Sequence, residues 1–454
     1  MKNTIAIRRE DLSKRGEKRV AVTPRLAQSI LDAGHSLIVQ PGIHPMEGTL
    51  KRAFPDSQYN QAGAEISEDL AGAKVIFGLK EVEKAHILPN KTYLCFSHTH
   101  KGQVKNKGML KKFMDQGSTL IDYELVTHDN GARIITAFTY FAGYAGMIDT
   151  LWTVGKRYAM RGIEHPLSKV PQSIETEDLG LIKGMLAEIG DQIKETGTPE
   201  SLPPFINVIL GTGKTSTGSQ EIYDILPVKE ISMGELADTF ANGSRKQVYK
   251  CVLGITEMFR LKANASISQS TYDAWNVGQQ EQHYFNHPAD FESNLEEILP
   301  YTSILMNCIL WSPEFPMTMS REFTKQVWTT SPTLEAIGDI TCDPEGSIQF
   351  SKETWIDNPV YIYNPATNES TDGFEGEGIA VMAVTNLPCE FSSDASEQFS
   401  TDMEPVFQGI LSANYDADLV SESGLPEAIQ GAAILWNGKL TDAFSYMHDY
   451  VAGA

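Results

Sequence analysis

The chain has 454 residues, 41% of them hydrophobic and 21% charged, which allows two sizeable cores and excludes a disordered or fibrous protein. Its net charge of −22 argues against nucleic acid or an anionic membrane surface as a partner. No apolar run is long enough to span a bilayer and MKNTIAIRRE has no signal-peptide core, so a cytoplasmic protein is expected.

Residues 5–7 read as a strand. Thr23-Pro24 then reads as an N-cap with proline at the first helical position, and Gly34 closes the helix before a strand at residues 36–39. Further strands are expected at residues 75–79, 92–96 and 119–122, with a helix over 104–114. This alternation predicts an α/β domain with a largely parallel sheet. Residues 1–25 carry eight basic side chains (Lys2, Arg8, Arg9, Lys14, Arg15, Lys18, Arg19, Arg25) against Glu10, Asp11 and Glu17, a candidate receiver for an anionic substrate. Small residues at Ala142, Gly143, Ala145 and Gly146 lead into a helix that could join two domains and act as a hinge. The charged region after Asp394 reads as solvated helices and loops. The cysteines, Cys95, Cys251, Cys308, Cys342 and Cys389, are scattered and never form a C-x-x-C pair, which fits reduced, buried thiols.

A second α/β domain begins at the apolar run 205–210. It is followed at once by GTGKTSTG, Gly211 to Gly218, and by a helix-forming stretch. Glycines between a strand and a helix let backbone amides approach a pyrophosphate at the positive end of the helix. Gly213-Lys214-Thr215 is not a P-loop, because Val208 stands where that motif needs glycine. The dinucleotide fingerprint is imperfect as well, with Ser216 at its third position and the next glycine at Gly218. About twenty residues past Gly211, where an acidic residue grips a ribose hydroxyl, stands Ser232, with Glu230 and Glu235 nearby. That serine, with Arg245 and Lys246 downstream, favours NADP while leaving NAD open.

Two expected strands of the first domain end in chemistry-capable residues, one in Lys80-Glu81 and the other in Ser97-His98-Thr99-His100-Lys101. Ligands of open α/β sheets bind beyond the carboxyl ends of strands, so Lys80 and His98 are candidates for an acid–base pair facing one crevice. Ordinary surface residues are the alternative. A metal pair of His98 and His100 lacks completing ligands at matching spacing, and no metal is expected.

The segments RRED, EKRVAVTP, VIFGLKEV, CFSHTHKGQ, LIDYELV, AFTYFAGYAGM, GTGKTSTGSQEI, LMNCILW, GDITCDPEGSIQF and VTNLPCEFSSDASEQFS occur in this order. On these motifs nearly the whole chain resembles the lysine–ketoglutarate reductase family, saccharopine dehydrogenase (L-lysine-forming). It is more distantly similar to alanine dehydrogenase and the transhydrogenase catalytic subunit. The resemblance implies condensation of lysine with 2-oxoglutarate and reduction of the imine by NAD(P)H to saccharopine, or the reverse. It implies Lys80 and His98 as acid–base residues, and Arg19 with Lys14 as receivers of substrate carboxylates. Glu81 and Glu124 would line the substrate pocket. Gly211, Gly213, Lys214, Thr215, Ser216, Gly218 and Ser232 would bind the cofactor, with Asp339 and Asp343 beside the nicotinamide. The chain departs from the family where Lys214-Thr215 replaces an Asn-Val-like pair, and it carries no saccharopine-cleaving domain, so a stand-alone reductase is expected.

The expected architecture is α/β, with two Rossmann-like domains built on parallel sheets. A discontinuous substrate domain, residues 1–145 plus 348–454, would enclose a dinucleotide-binding domain at 146–347. Small molecules are the only expected partners, and the oligomeric state stays open. One rival is an alanine-dehydrogenase-like enzyme aminating a small 2-oxo acid; a rival of another class is a non-catalytic cofactor-binding sensor or subunit.

Overall fold

The computed structural model describes residues 2–45, 48 and 50–452. The chain divides into two compact units, residues 1–138 with 392–454 and residues 139–391.

The first unit is built on an eight-stranded sheet. Strand Thr4–Ile7 lies at its centre, paired in parallel with Ser36–Val39 on one side and Val75–Phe77 on the other. Thr92–Cys95 and Thr119–Asp122 continue the parallel run. These strands are short and almost wholly buried, as parallel strands covered on both faces must be. The C-terminal segment completes this unit. Ala433–Trp436 pairs antiparallel with Thr119–Asp122, and helix Ser392–Ser412 presses Phe399, Met403, Phe407 and Ile410 into the sheet core. The expectation of a solvated tail is therefore corrected. The apolar residues of this helix recur at helical spacing among serines and acids, so composition hides one fully buried face.

The second unit carries another eight-stranded sheet, with the strands Val228–Glu230, Val248–Leu253, Ile206–Leu210, Ile304–Asn307, Ala336–Asp339 and Ile379–Met382 in this order, all parallel. Val360–Asn364 and Glu369–Asp372 close one edge as an antiparallel hairpin. Residues 348–391 thus belong to this sheet, and the return to the first unit falls at Ser392 rather than near residue 348. The reason is local: Ile379–Met382 is fully buried against Ala336–Asp339 and cannot leave without exposing both. The first unit is discontinuous, with these different bounds.

Helix Ala137–Met160 runs unbroken through the glycines read as a hinge. A Cβ on Gly143 would sit 2.2 Å from the Thr215 carbonyl oxygen, and one on Gly146 2.6 Å from Ile340. These glycines therefore serve close packing inside the second unit.

The core of this unit holds two carboxyl groups, Asp149 on that helix and Glu390, each fully buried. Burial pushes Asp149 up to about 6, and burial together with the Asp149 carboxyl beside it pushes Glu390 well above its usual range, while a hydrogen bond from Glu390 partly offsets the rise on Asp149. Glu175 adds to the rise on Asp149, and the Ser173 amide at 2.9 Å opposes it. The folded state then binds protons more tightly than the unfolded one, so stability falls as pH rises from the ordinary carboxylate range through about 6. Glu390→Gln is expected to flatten this decline and raise stability above pH 6 by roughly 2 kcal/mol, read from thermal melts against pH. An unchanged slope would mean that the pair does not share a proton.

Candidate active site

Strands Val75–Phe77 and Thr92–Cys95 pair in parallel, and the pairing continues beyond their ends through the Phe96 amide on the Leu79 carbonyl at 2.8 Å. Lys80 and His98 therefore leave the sheet at the same edge. Each is held by a buried carboxylate that the sequence reading overlooked. Glu10 accepts the amides of Leu79 at 2.8 Å and Lys80 at 3.0 Å. Asp122, the last residue of its strand, accepts the amide and hydroxyl of Ser97 at 3.0 and 2.6 Å and the amide of His98 at 3.2 Å. His98 has φ +51°, a left-handed conformation unusual for a residue with a Cβ, and these bonds to Asp122 pin the turn that imposes it.

The His98 side chain is hydrogen-bonded through Nδ1 to Glu81 Oε1 at 2.7 Å, and Glu81 Oε2 accepts Lys14 Nζ at 2.6 Å. Burial opposes ionisation of Glu81, but these two partners hold its carboxyl well below the usual range. An ionised Glu81 offers only acceptors, so His98 Nδ1 carries its hydrogen, and in the neutral imidazole Nε2 presents the lone pair. Lys14, Glu81 and His98 are thus one hydrogen-bonded series, and a base oriented by a carboxylate is a recurring device for proton transfer.

Arg19 is paired within the unit. Its guanidinium is buried, stacked 4.2 Å above the Phe138 ring, and its Nε and Nη2 donate to both oxygens of Glu17 at 2.8 and 2.6 Å. Burial works against Glu17, yet Arg19 and, beyond it, the Lys80 ammonium hold its carboxyl down to about 2. Glu17 therefore ties Arg19 electrostatically to Lys80. Glu124 is gripped at Oε1 by Arg133 at 2.8 Å and Lys101 at 2.9 Å, cations that the sequence reading did not single out. His100 lies between Asp122 and Glu124, 3.6 and 3.7 Å from their carboxylates, and so does not share a ligand set with His98. Elsewhere in the unit, Asp11, Glu83 and His86 bring donor atoms within 4.8 Å of one another. Arg8 Nη2 is 2.7 Å from that same Asp11 carboxylate, and its charge repels a cation.

In the second unit the glycine turn follows Ile206–Leu210, and helix Lys214–Tyr223 starts directly behind it. Gly211 has φ +97°, which favours glycine, and a Cβ on Gly213, the N-cap, would meet nothing within 4 Å. The turn thus leaves open space in front of a helix N-terminus, which fits a pyrophosphate. Lys214 is exposed at the first helical position, Thr215 is half-buried and Ser216 is buried. A Cβ on Gly218 would sit 2.4 Å from the Tyr140 carbonyl oxygen, so this glycine serves packing rather than cofactor contact.

Several of the other expected cofactor residues have partners inside the unit. Ser232 directs both its amide and its hydroxyl to Glu235 at 2.8 Å in a capping box, and Glu230 ends the second strand of the fold. Arg245 binds the carbonyls of Pro199 and Leu202, and Arg245 and Lys246 precede Val248–Leu253, at the sheet edge away from the glycine turn. Asp339 is buried and satisfied by Asn307 Nδ2 at 2.8 Å, the Cys342 amide at 3.1 Å and the Ser351 hydroxyl. It shapes the strand end and offers no open oxygen edge, whereas Asp343 is exposed on the following loop.

Residues 6–145 match the family model for the alanine dehydrogenase/PNT N-terminal domain. The chain is 34% identical to the alpha-aminoadipic semialdehyde synthase of Arabidopsis thaliana over 95% of its own length and 40% of that protein. It is 24% identical to saccharopine dehydrogenase [NAD(+), L-lysine-forming] of Emericella nidulans over 89% of this chain and 91% of that one. The chain is a homologue of alpha-aminoadipic semialdehyde synthase and saccharopine dehydrogenase. This saccharopine dehydrogenase homologue spans about half or less of the length of the semialdehyde synthases that it matches. A solved L-alanine dehydrogenase shares its fold, with a TM-score of 0.62 at 16% identity over 99% of both chains. Among the described residues no helix of the homologue is long and apolar enough to cross a membrane.

Proposed function

We propose that the chain joins the side-chain amine of lysine to the ketone of 2-oxoglutarate and reduces the resulting imine to saccharopine. The observation that carries this reading is the 2.7 Å bond from His98 to an ionised Glu81, at the same sheet edge as Lys80. One similar protein is named saccharopine dehydrogenase [NAD(+), L-lysine-forming], which supports this reading.

Condensation needs a neutral amine, so a base must first remove its proton; His98 Nε2, oriented by Glu81, is that base. The amine nitrogen then bonds to the ketone carbon as the C=O π bond opens, and the proton that nitrogen loses passes to the oxygen, giving a carbinolamine. Lys80, a cation beside Glu17, gives a proton to the departing hydroxyl, which leaves as water. Lys14, Arg19, Lys101 and Arg133 supply the positive charge that several substrate carboxylates require. A nicotinamide cofactor, its pyrophosphate held by the backbone amides at Gly211 to Ser216, supplies the hydride.

NAD is the favoured cofactor. Glu230 and Glu235 bring negative charge to the position of Ser232, and Arg245 is committed elsewhere, so a 2′-phosphate would meet repulsion from these carboxylates. Oxidation of NADH with lysine plus 2-oxoglutarate is expected to exceed that of NADPH by about tenfold or more in kcat/KM. Turnover only with pyruvate plus ammonium would overturn the substrate assignment. A preference for NADPH would overturn the cofactor assignment alone.

A further inference from the structure

His100 has no part in the reaction assigned to His98 and Lys80, yet it sits among the groups that hold them. It lies on the loop after strand Thr92–Cys95, two residues past His98, with its side chain 16% exposed. The ring stands between two carboxylates. Nδ1 is 3.6 Å from Asp122 Oδ2, and Nε2 is 3.7 Å from Glu124 Oε2. Both contacts are longer than a hydrogen bond, and a shift of well under ~1 Å closes either one. His100 Nδ1 and Glu124 Oε2 are buried and have no hydrogen-bond partner among the described residues.

The two carboxylates differ in what else faces them. Glu124 Oε1 is already matched by Lys101 at 2.9 Å and Arg133 at 2.8 Å. Asp122 is wholly buried, and among the described residues His100 is the only basic side chain within 4.0 Å of it. Its other donors are neutral: the Ser97 amide and hydroxyl and the His98 amide on Oδ2, and the Glu124 amide on Oδ1 at 2.8 Å. Burial opposes ionisation of Asp122, but His100, the Ser97 hydroxyl and the Glu124 amide together hold its carboxyl below the usual range. The bonds that Asp122 accepts are those that pin His98 at φ +51°, so the turn is only as firm as that buried carboxylate.

We propose that His100 is a positioning residue for His98. Its Nδ1–H faces Asp122 and secures that carboxylate as the acceptor at Ser97 and His98, and this directs the His98 ring towards Glu81. The inference rests on the reading of His98 as the base. A hydrogen on Nδ1 serves the carboxylate that lacks another basic partner, while Glu124 keeps Lys101 and Arg133.

Side-chain amides separate the two ring nitrogens in the test, because asparagine brings its NH₂ group to the place of Nδ1 and glutamine to that of Nε2. His100→Leu is expected to lower kcat with lysine and 2-oxoglutarate about tenfold and to leave KM for both nearly unchanged. His100→Asn, which still donates towards Asp122, is expected to recover most of that loss, and His100→Gln little of it. A second readout needs no turnover: NMR of the resting full chain, with ¹⁵N in its histidines, shows which nitrogen of His98 carries the hydrogen. The Nδ1–H form is expected in wild type and His100→Asn, and a mixture of both tautomers in His100→Leu. Thermal melts establish that each variant folds, and if His100→Leu does not, the comparison of His100→Asn with His100→Gln decides. Wild-type kcat with an unmixed His98 signal in His100→Leu would overturn the proposal. So would recovery by glutamine and not asparagine, or a rise in KM alone, since either would place the effect on Glu124 and its cations. If wild type turns over no lysine, the reaction assignment fails, and the His98 signal alone decides the part of His100.

Discussion

Lys80→Met and His98→Gln are each expected to lower turnover with lysine and 2-oxoglutarate by about 10²–10⁴-fold while leaving the fold intact. The argument rests on what each variant keeps. Gln at position 98 can still donate to Glu81, so the Lys14–Glu81 pair at 2.6 Å survives and only the lone pair that accepts a proton is lost. Met at position 80 keeps the backbone amide that Glu10 accepts at 3.0 Å, so the strand end stays in place and only the proton donor disappears. Steady-state rates beside circular dichroism separate these losses from unfolding. Wild-type rates in both variants would remove the pair from the mechanism.

Glu17→Gln is expected to cost about 3 kcal/mol of stability at neutral pH, because it deletes the negative charge facing the buried Arg19 guanidinium and the Lys80 ammonium. The pH dependence follows from the same pair. Glu17 is held at about 2 against an ordinary value of 4.5, so its contribution is fully present above 4.5 and is lost as pH falls towards 2. Urea unfolding of both proteins from pH 7 to pH 3 should show the difference narrowing with acid. A constant difference would mean that the effect is one of packing and not of charge.

The parallel strands of the first unit, and the first strand of the second at Ile206–Leu210, were legible in the sequence because short apolar runs between glycines and charged turns leave little choice. The C-terminal helix was not: its buried Phe399, Met403 and Phe407 are spaced among serines and acids, and composition masks such a face. The bound near residue 348 failed for a different reason, since a strand such as Ile379–Met382 does not announce which of two sheets it joins. At the proposed centre, Lys80 and His98 were visible as strand ends. The carboxylates that hold them, Glu10 and Asp122, were not, because what each accepts is fixed by pairing between strands distant in sequence. The position of Arg245 was not legible either: it is close in sequence to the ribose position but lies at the opposite edge of the sheet from the glycine turn.

The most direct measurement uses lysine labelled with ¹⁵N at its side chain, together with 2-oxoglutarate and NADH, and identifies the product by mass spectrometry. The account predicts a single adduct that retains the label and the carbons of both substrates, formed by wild type and absent with His98→Gln. Labelled glutamate, or no adduct in the presence of NADH oxidation, would contradict it.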